Sequence, residues 1–244
     1  REYGGVANQN GGGIIVEGGT GIVFQDMIFH SMKTYGNYND GGVMYSDNAS
    51  SVSFDRCIFH NNESGDHGSV LYWNSSGVLS MINCLVYEND AVDDADIYIN
   101  NGPNGNQHYF RNCTFADNAL NDQSTLYCNN ESTTIANCIF DENSTAYDIR
   151  KGFSSTVTLY YCMYDNISAS ITENNSVSVS NRSSTFINKS NKSEELRDIL
   201  LTNDITCLCN KTTHNSAEIV SPRMSPDKLP SFYLFLKEKL MDDM

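Results

Sequence analysis

The chain has 244 residues and a formal net charge of −15, with 30 Asp and Glu against 15 Lys and Arg. Nucleic acids and anionic membrane surfaces attract basic patches, so this charge balance argues against both classes of partner. The 30 asparagines and 17 glycines, against 4 prolines, are typical of a chain that turns often, because Asn and Gly tolerate left-handed backbone.

One sequence motif recurs from residue 14 to about residue 167, and a cysteine marks most of its copies. The five cysteines follow one another at spacings of 27, 29, 25 and 24 residues, and Met27 occupies the same position 30 residues before the first of them. They are Cys57, Cys84, Cys113, Cys138 and Cys162. Repeats of this length without helical periodicity predict a solenoid built from strands.

The apolar residues around each cysteine define two strands. In the second copy of the motif these residues are Val52 and Phe54 before the cysteine, then Cys57 and Phe59. Side chains alternate along a strand, so both pairs point inward only if the chain turns a corner immediately before the cysteine. We therefore expect the cysteines to form one inward row.

Asparagine occupies that corner in three copies, as Asn83, Asn112 and Asn137. We predict that these side chains stack at one bend, bond to each other or to the backbone, and leave Asn112 largely buried. Asn112 also begins one of twelve Asn-x-Ser/Thr sequons, a number that is compatible with a glycoprotein.

A third short strand precedes these two in every copy, as in the segments GGVMYSD and HGSVLYWN. Three strands and three bends per copy predict an all-β fold, a right-handed parallel β-helix of about six coils over residues 10 to 167. Coils stacked at roughly 4.8 Å give a length of about 30 Å. Residues 168 to 244 are expected to form a degenerate coil and a partly helical tail that caps the open end of the solenoid.

The first strand of each copy offers a candidate binding surface. If Tyr45 and Tyr72 point inward, their neighbours form an outward row across the coils. The residues that we predict for binding on this basis are Met44, Leu71, Trp73, Tyr98 and Tyr127. An exposed apolar stripe of this kind suggests a contact surface. A register slip of one residue would bury the row instead, and the tail could also cover it.

The repeated motifs resemble those of a known family. Paired glycines before an aliphatic residue begin two copies, and a Phe-x-x-Asn pattern ends three, at Phe59 to Asn62, Phe115 to Asn118 and Phe140 to Asn143. Over about two thirds of the chain these motifs are similar to the polymorphic outer-membrane protein repeat. The resemblance implies a parallel β-helix and an adhesin-like protein of the cell surface. The corner asparagines are also similar to the asparagine ladder of pectate-lyase-like β-helices.

The cysteines are compatible with three chemical states. An inward row favours free thiols that behave as small buried hydrophobes, whereas disulfides between neighbouring coils and a metal role are alternatives. Cys128 is expected to join the core. In the tail, Cys207 and Cys209 form a single Cys-x-Cys, for which a disulfide or free thiols are favoured over a zinc site. No metal site and no cofactor are predicted.

No catalytic residues are predicted, because the five histidines are scattered and the acidic clusters fit solvated loops. The sequence favours a noncatalytic adhesion or binding module, secreted or at the cell surface, whose partner is a host or neighbouring surface protein or a glycan. The alternative is a glycan-active β-helix enzyme, a polysaccharide lyase or hydrolase, which requires carboxylates that converge on one face. Membrane insertion is not expected, since the longest apolar run, 232 to 236, is too short to cross a bilayer.

Overall fold

In a computed structural model of the protein, the described residues form β-strands and no helix, and the strands pair in parallel. These residues are 2–3, 6–7, 9–48, 51–100, 107–118, 124–141, 143 and 145–178. The predicted parallel β-helix is confirmed: from the strand at residues 14–16 to the strand at residues 147–151 the chain makes five turns, with partial turns at both ends. Within this part of the chain no helix is present that could cross a membrane.

Three sheets form the faces of the solenoid, one for each strand of a coil. The first sheet contains β3 (Ile14–Val16), β7 (Met44–Asp47), β11 (Leu71–Asn74), β15 (Ala95–Ile99), β18 (Ser124–Cys128) and β21 (Tyr147–Lys151). The second contains β4 (Ile22–Gln25), β8 (Ser51–Asp55), β12 (Val78–Ile82), β16 (Gln107–Arg111), β19 (Ser132–Ala136), β22 (Thr156–Tyr160) and β24 (Thr172–Asn174).

The third sheet follows the cysteine of each coil. It contains β1 (Glu2–Tyr3), β5 (Ile28–His30), β9 (Ile58–His60), β13 (Leu85–Tyr87), β17 (Thr114–Ala116), β20 (Ile139–Asp141), β23 (Met163–Tyr164) and β25 (Val177–Ser178). A short fourth sheet at the return corner contains β2 (Val6–Ala7), β6 (Lys33–Thr34), β10 (Glu63–Ser64) and β14 (Asp90–Ala91). Parallel strands therefore continue before residue 10 and after residue 167, while the helices predicted in the tail lie outside the described residues.

The predicted cysteine row is confirmed. All five cysteines of the row are buried and have free thiols, and the same is true of Cys128. Each thiol of the row donates to the backbone carbonyl two residues before it; the Cys113 Sγ, for example, lies 3.3 Å from the Arg111 oxygen. Burial is the main cause that raises the pKa of Cys84 and of Cys113 well above the usual range, and a hydrogen bond to the next thiol is the second cause. The row therefore acts as apolar core, since thiolate formation is strongly disfavoured.

The predicted asparagine stack at the corner before each cysteine exists, but it lies on the surface. Asn112 donates from Nδ2 to Asn83 Oδ1 at 3.2 Å, and Asn137 donates to Asn112 Oδ1 at the same distance. The prediction that Asn112 is buried is wrong, because its side chain is exposed. The residue at this corner is left-handed, with φ values of 53° to 55° in these three copies. Asn tolerates that conformation, and its side chain points away from the inward cysteine that follows.

A second asparagine ladder lies in the interior, at the end of the Phe-x-x-Asn motif. Asn62, Asn89 and Asn118 are all 0% exposed, and the partly buried Asn143 continues their row. In the three fully buried asparagines, Nδ2 donates to the Oδ1 of the next asparagine at 2.9 to 3.0 Å and to a backbone carbonyl of the preceding coil at 3.1 Å, as from Asn89 to Phe59. These bonds satisfy the backbone where the chain leaves the third sheet.

Paired glycines allow two coils to approach closely where the chain enters the first sheet. Gly41 has a φ of 71°, which few residues with a side chain adopt. A Cβ on Gly42 would lie 2.3 Å from the Ser69 carbonyl oxygen and 2.5 Å from that of Glu63. The side chains that precede these glycines, among them Asp40, are therefore held at a tightly packed outer corner.

Candidate functional site

The first sheet places three of the predicted binding residues in the core. Met44, Leu71 and Trp73 are 0%, 1% and 0% exposed, so their predicted outward orientation is wrong. Leu71 pairs with Met44 on one side and with Ile97 on the other, which puts all three in one inward row. The outward row predicted from the sequence aligns Leu71 with Tyr98, one residue away from its true partner Ile97, and a slip of one residue moves a side chain to the opposite face.

Tyr98 and Tyr127 do lie on the outer face, in a row with two further tyrosines. We call Tyr45, Tyr72, Tyr98 and Tyr127 the tyrosine row. Successive ring centroids are 5.3, 5.2 and 5.0 Å apart, and the first three rings are parallel within 6°. At one end the Arg150 guanidinium covers Tyr127, 4.1 Å from its ring centroid. The Tyr127 ring is tilted by 49° to that of Tyr98, so the row is a parallel stack across three coils that a tilted fourth ring extends.

Stacking determines what the tyrosine row can offer a partner. The ring faces cover one another, so Tyr72 and Tyr98 are each only 9% exposed, while Tyr45 and Tyr127 are partly exposed. The accessible part of the row is therefore its rim of ring edges and hydroxyls. Burial raises the pKa of Tyr72 to about 12, so its hydroxyl remains a donor and acceptor well above neutral pH. The row is a hydrogen-bonding surface rather than a flat apolar platform.

Amide side chains extend this rim along the end of the first sheet. Asn100 donates from Nδ2 to the Tyr72 hydroxyl at 2.7 Å, and Asn129 donates to Asn100 Oδ1 at 3.4 Å. Asn74 donates to Asp47 Oδ1 at 3.4 Å in the preceding coils. We call Asn74, Asn100 and Asn129 the amide row. Hydroxyl and amide groups together present both donors and acceptors on rigid strands.

Two carboxylates and an imidazole meet beside the tyrosine row. One ligand atom from each of Asp40, Asp66 and His67 lies within 4.8 Å of the others. The His67 ring is nearly parallel to that of Tyr98, with centroids 4.5 Å apart, and its Nδ1 lies 3.6 Å from Asp66 Oδ1. Burial raises the pKa of Asp40 to about 6, although the His67 backbone N–H donates to this carboxylate and opposes the shift. No prediction from the sequence brought these residues together.

A polar cluster lies in the interior where the first sheet turns into the second. Its members are Trp73, His108 and Glu131, and none of them is more than 1% exposed. The Leu79 N–H donates to His108 Nδ1 at 3.0 Å, so the neutral ring carries its proton on Nε2, which lies 3.9 Å from Glu131 Oε2. Burial lowers the pKa of His108 to about 4. From the sequence His108 is one of five scattered histidines, because a single His in a strand carries no signal of its partner.

His108 makes a testable contribution to the pH dependence of stability. Its pKa is about 4 in the folded protein and about 6.5 in an unfolded chain, so the unfolded state binds more protons between these values. Stability should therefore fall as pH drops from 6.5 to 4, by about 3 kcal/mol from this residue. Chemical denaturation at several pH values, on the wild type and on His108→Gln, measures the difference.

The comparison with the variant is needed because two buried carboxyls act in the opposite direction. Burial raises the pKa of Asp40 and of Asp148 to about 6, so the folded state binds protons more readily there, and these groups add stability as pH falls below 6. They are present in both proteins and cancel in the difference. Parallel stability curves for the wild type and His108→Gln would refute the assignment to His108.

Comparisons of this chain with protein-family models, with curated proteins and with solved structures found no match.

Proposed function

We propose that the chain is a noncatalytic binding module, secreted or at the cell surface, that contacts a glycan or a surface protein through the outer face of its first sheet. The observation that carries this proposal is the combination of the tyrosine row and the amide row on one face. Tyr98 and Tyr127 belong to the residues that the sequence predicted for binding, whereas Met44, Leu71 and Trp73 support that face from the core.

The physical character of the face favours polar recognition. Tyrosines and amides supply hydrogen bonds together with aromatic area, and tyrosine has few rotatable bonds to immobilise when a partner docks. Stacking on neighbouring coils has already restricted these side chains, so little conformational entropy remains to be lost. The net charge of −15 favours neutral or cationic partners over anionic ones.

The test begins with a screen of the wild-type chain against glycans and host surface proteins, followed by removal of hydroxyls from the face. In the double variant Tyr98→Phe and Tyr127→Phe, the rings remain and two hydroxyls are lost. At about 0.5 to 1.5 kcal/mol for each hydrogen bond, affinity should fall roughly tenfold. Titration calorimetry measures the affinity, and the melting temperature should change by less than about 4 °C.

The second sheet offers a matched control. Tyr109 and Tyr160 lie in β16 and β22, on another face of the solenoid, and Tyr109→Phe with Tyr160→Phe removes the same number of hydroxyls. This control should bind as the wild type does. Equal weakening in both double variants, or no partner in the screen, would contradict the proposed function.

One observation favours the alternative of a glycan-active enzyme. Ligand atoms of Asp40 and Asp66 lie within 4.8 Å, and the pKa of Asp40 is raised to about 6 by burial. Retaining glycosidases pair two carboxyl groups about 5 Å apart, one with a raised pKa. A polysaccharide depolymerisation assay, with Asp40→Asn as the inactive reference, tests this function separately from binding.

A further inference from the structure

We propose that Asp40, Asp66 and His67 bind a divalent metal ion of the zinc class at the outer corner between two coils, next to the tyrosine row. Their three ligand atoms lie within 4.8 Å of one another. Zn²⁺ accepts carboxylate oxygen and imidazole nitrogen at about 2.0 to 2.2 Å, so one ion placed among these atoms reaches all three after small side-chain rotations. Water completes the coordination.

The charges at this corner favour a cation. Asp40 and Asp66 come from adjacent coils, and both carboxylates are partly buried. Among the described residues, neither forms a salt bridge with Lys or Arg, and His67 is the only basic side chain that pairs with Asp66. Two carboxylates held together without a cationic side chain repel each other, and a divalent ion removes that repulsion.

The backbone positions the ligands before any ion binds. Asp40 and His67 occupy equivalent positions in adjacent coils, each directly before a left-handed glycine, Gly41 or Gly68, with a φ of 71° in both. The Asp40 Oδ1 accepts the His67 backbone N–H at 3.2 Å. Its second carboxylate oxygen makes no hydrogen bond to any residue that the structure describes. The site therefore requires little reorganisation, which favours binding.

The rings of the tyrosine row fix the imidazole. The His67 ring stacks on Tyr98 at 4.5 Å and lies parallel to Tyr72 within 12°, with centroids 6.2 Å apart. Its Nδ1 also lies 3.3 Å from the Asp93 carbonyl oxygen. A carbonyl oxygen only accepts, so in the absence of an ion Nδ1 carries the proton of this hydrogen bond. Aromatic packing holds the plane of the ring beside the carboxylates, and an ion on Nδ1 replaces the proton that this nitrogen otherwise shares with the Asp93 carbonyl.

The ligand set selects among divalent ions. Imidazole with carboxylate suits zinc, manganese, cobalt and nickel, whereas calcium and magnesium prefer oxygen ligands alone. We therefore expect Zn²⁺ to bind tightly, Co²⁺ to substitute for it, and Ca²⁺ to bind weakly. This site does not depend on the proposed binding function, because it is defined by its own ligand atoms.

Calorimetric titration of the full chain with Zn²⁺, and absorption spectroscopy with Co²⁺, test the site. His67→Gln and the isosteric Asp66→Asn should each weaken Zn²⁺ binding by at least about tenfold, since even outer-shell changes at metal sites weaken binding 10- to 100-fold. The Co²⁺ spectrum should lack a thiolate charge-transfer band. Melting temperatures without metal show whether each variant remains folded, and Asp66→Asn serves if His67→Gln disturbs the aromatic stack.

Two matched controls separate this site from other donors in the chain. His60→Gln removes a surface imidazole of the third sheet, and the triple change Cys207→Ser, Cys209→Ser and His214→Gln removes the donors of the tail. Both control proteins should bind Zn²⁺ as the wild type does. The proposal is overturned if the wild type does not bind Zn²⁺, if the triple variant loses binding, if Asp66→Asn and His67→Gln retain it, or if Ca²⁺ binds as tightly.

Discussion

Replacement of Trp73 by alanine should lower the free energy of unfolding by about 4 kcal/mol, within the usual range for large-to-small core changes. Trp73 is fully buried and lies edge-to-face with His108 at a centroid distance of 6.1 Å. Its removal leaves a cavity that the flanking strands cannot close, because each is bonded to a coil above and below. The shift of the guanidinium chloride midpoint measures the loss.

Two further substitutions sharpen this prediction. The indole Nε1 of Trp73 makes no hydrogen bond to the described residues, so Trp73→Phe removes both ring volume and a buried donor without a partner. Its cost should be about 1 kcal/mol. Phe153→Ala, at a fully exposed position, should change stability by less than about 0.5 kcal/mol. A Trp73→Ala protein as stable as the wild type would contradict the core placement and restore the outward orientation predicted from the sequence.

Asn89→Ala should destabilise the protein by a comparable amount, about 4 kcal/mol. Asn89 Oδ1 accepts the buried Asn62 N–H at 3.1 Å, and its Nδ2 donates to the Phe59 carbonyl oxygen at 3.1 Å. Alanine supplies neither group, and each buried polar group that loses its partner costs about 1 to 3 kcal/mol. Denaturant unfolding that follows strand content by circular dichroism measures this loss.

Asn129→Ala is the matched control, since it makes the same substitution in a partly exposed side chain. The Asn129 Nδ2 donates to Asn100 at 3.4 Å, a longer and more accessible bond than those of Asn89. Its loss should cost less than about 1 kcal/mol. Similar losses at Asn89 and Asn129 would show that the interior ladder has no special contribution to stability.

The cysteine row could be predicted because its pattern admits one interpretation. Around Cys57 the apolar residues alternate in two short runs, and only a corner between the runs places both inward. The first strand lacks such alternation: in β11, Leu71, Tyr72 and Trp73 are all large and apolar or aromatic. Either face of that strand could be the inner one, and the choice depends on packing against neighbouring coils.

The two asparagine ladders could not be distinguished from sequence for a related reason. Asn112 precedes a cysteine and Asn118 ends the Phe-x-x-Asn motif, and asparagine recurs at both positions in several coils. Their opposite orientations depend on left-handed corners, at Asn112 itself and at Asp117 just before Asn118. Local polarity does not reveal such a reversal, because Asn is favourable both at a solvated turn and in a fully bonded interior row.

The cluster beside the tyrosine row has only a weak signal in the sequence. Asp40 and His67 each precede a glycine that begins a copy of the repeat, so aligning the copies on these glycines places the two residues in adjacent coils. Asp66 then follows as the neighbour of His67. The distance between the carboxylates depends on the rotation of each side chain, which the alignment does not give.

The stacking of equivalent residues means that the protein could change its length without changing its cross-section. Leu85 pairs directly with Ile58, so removal of residues 58–84 would join Cys57 to the strand that already lies one coil above it. Each row would lose one member and close over the gap, since every coil contacts only its neighbours. Insertion or loss of whole coils is therefore a topologically neutral change, and the number of coils is a quantity that evolution can vary independently of the fold.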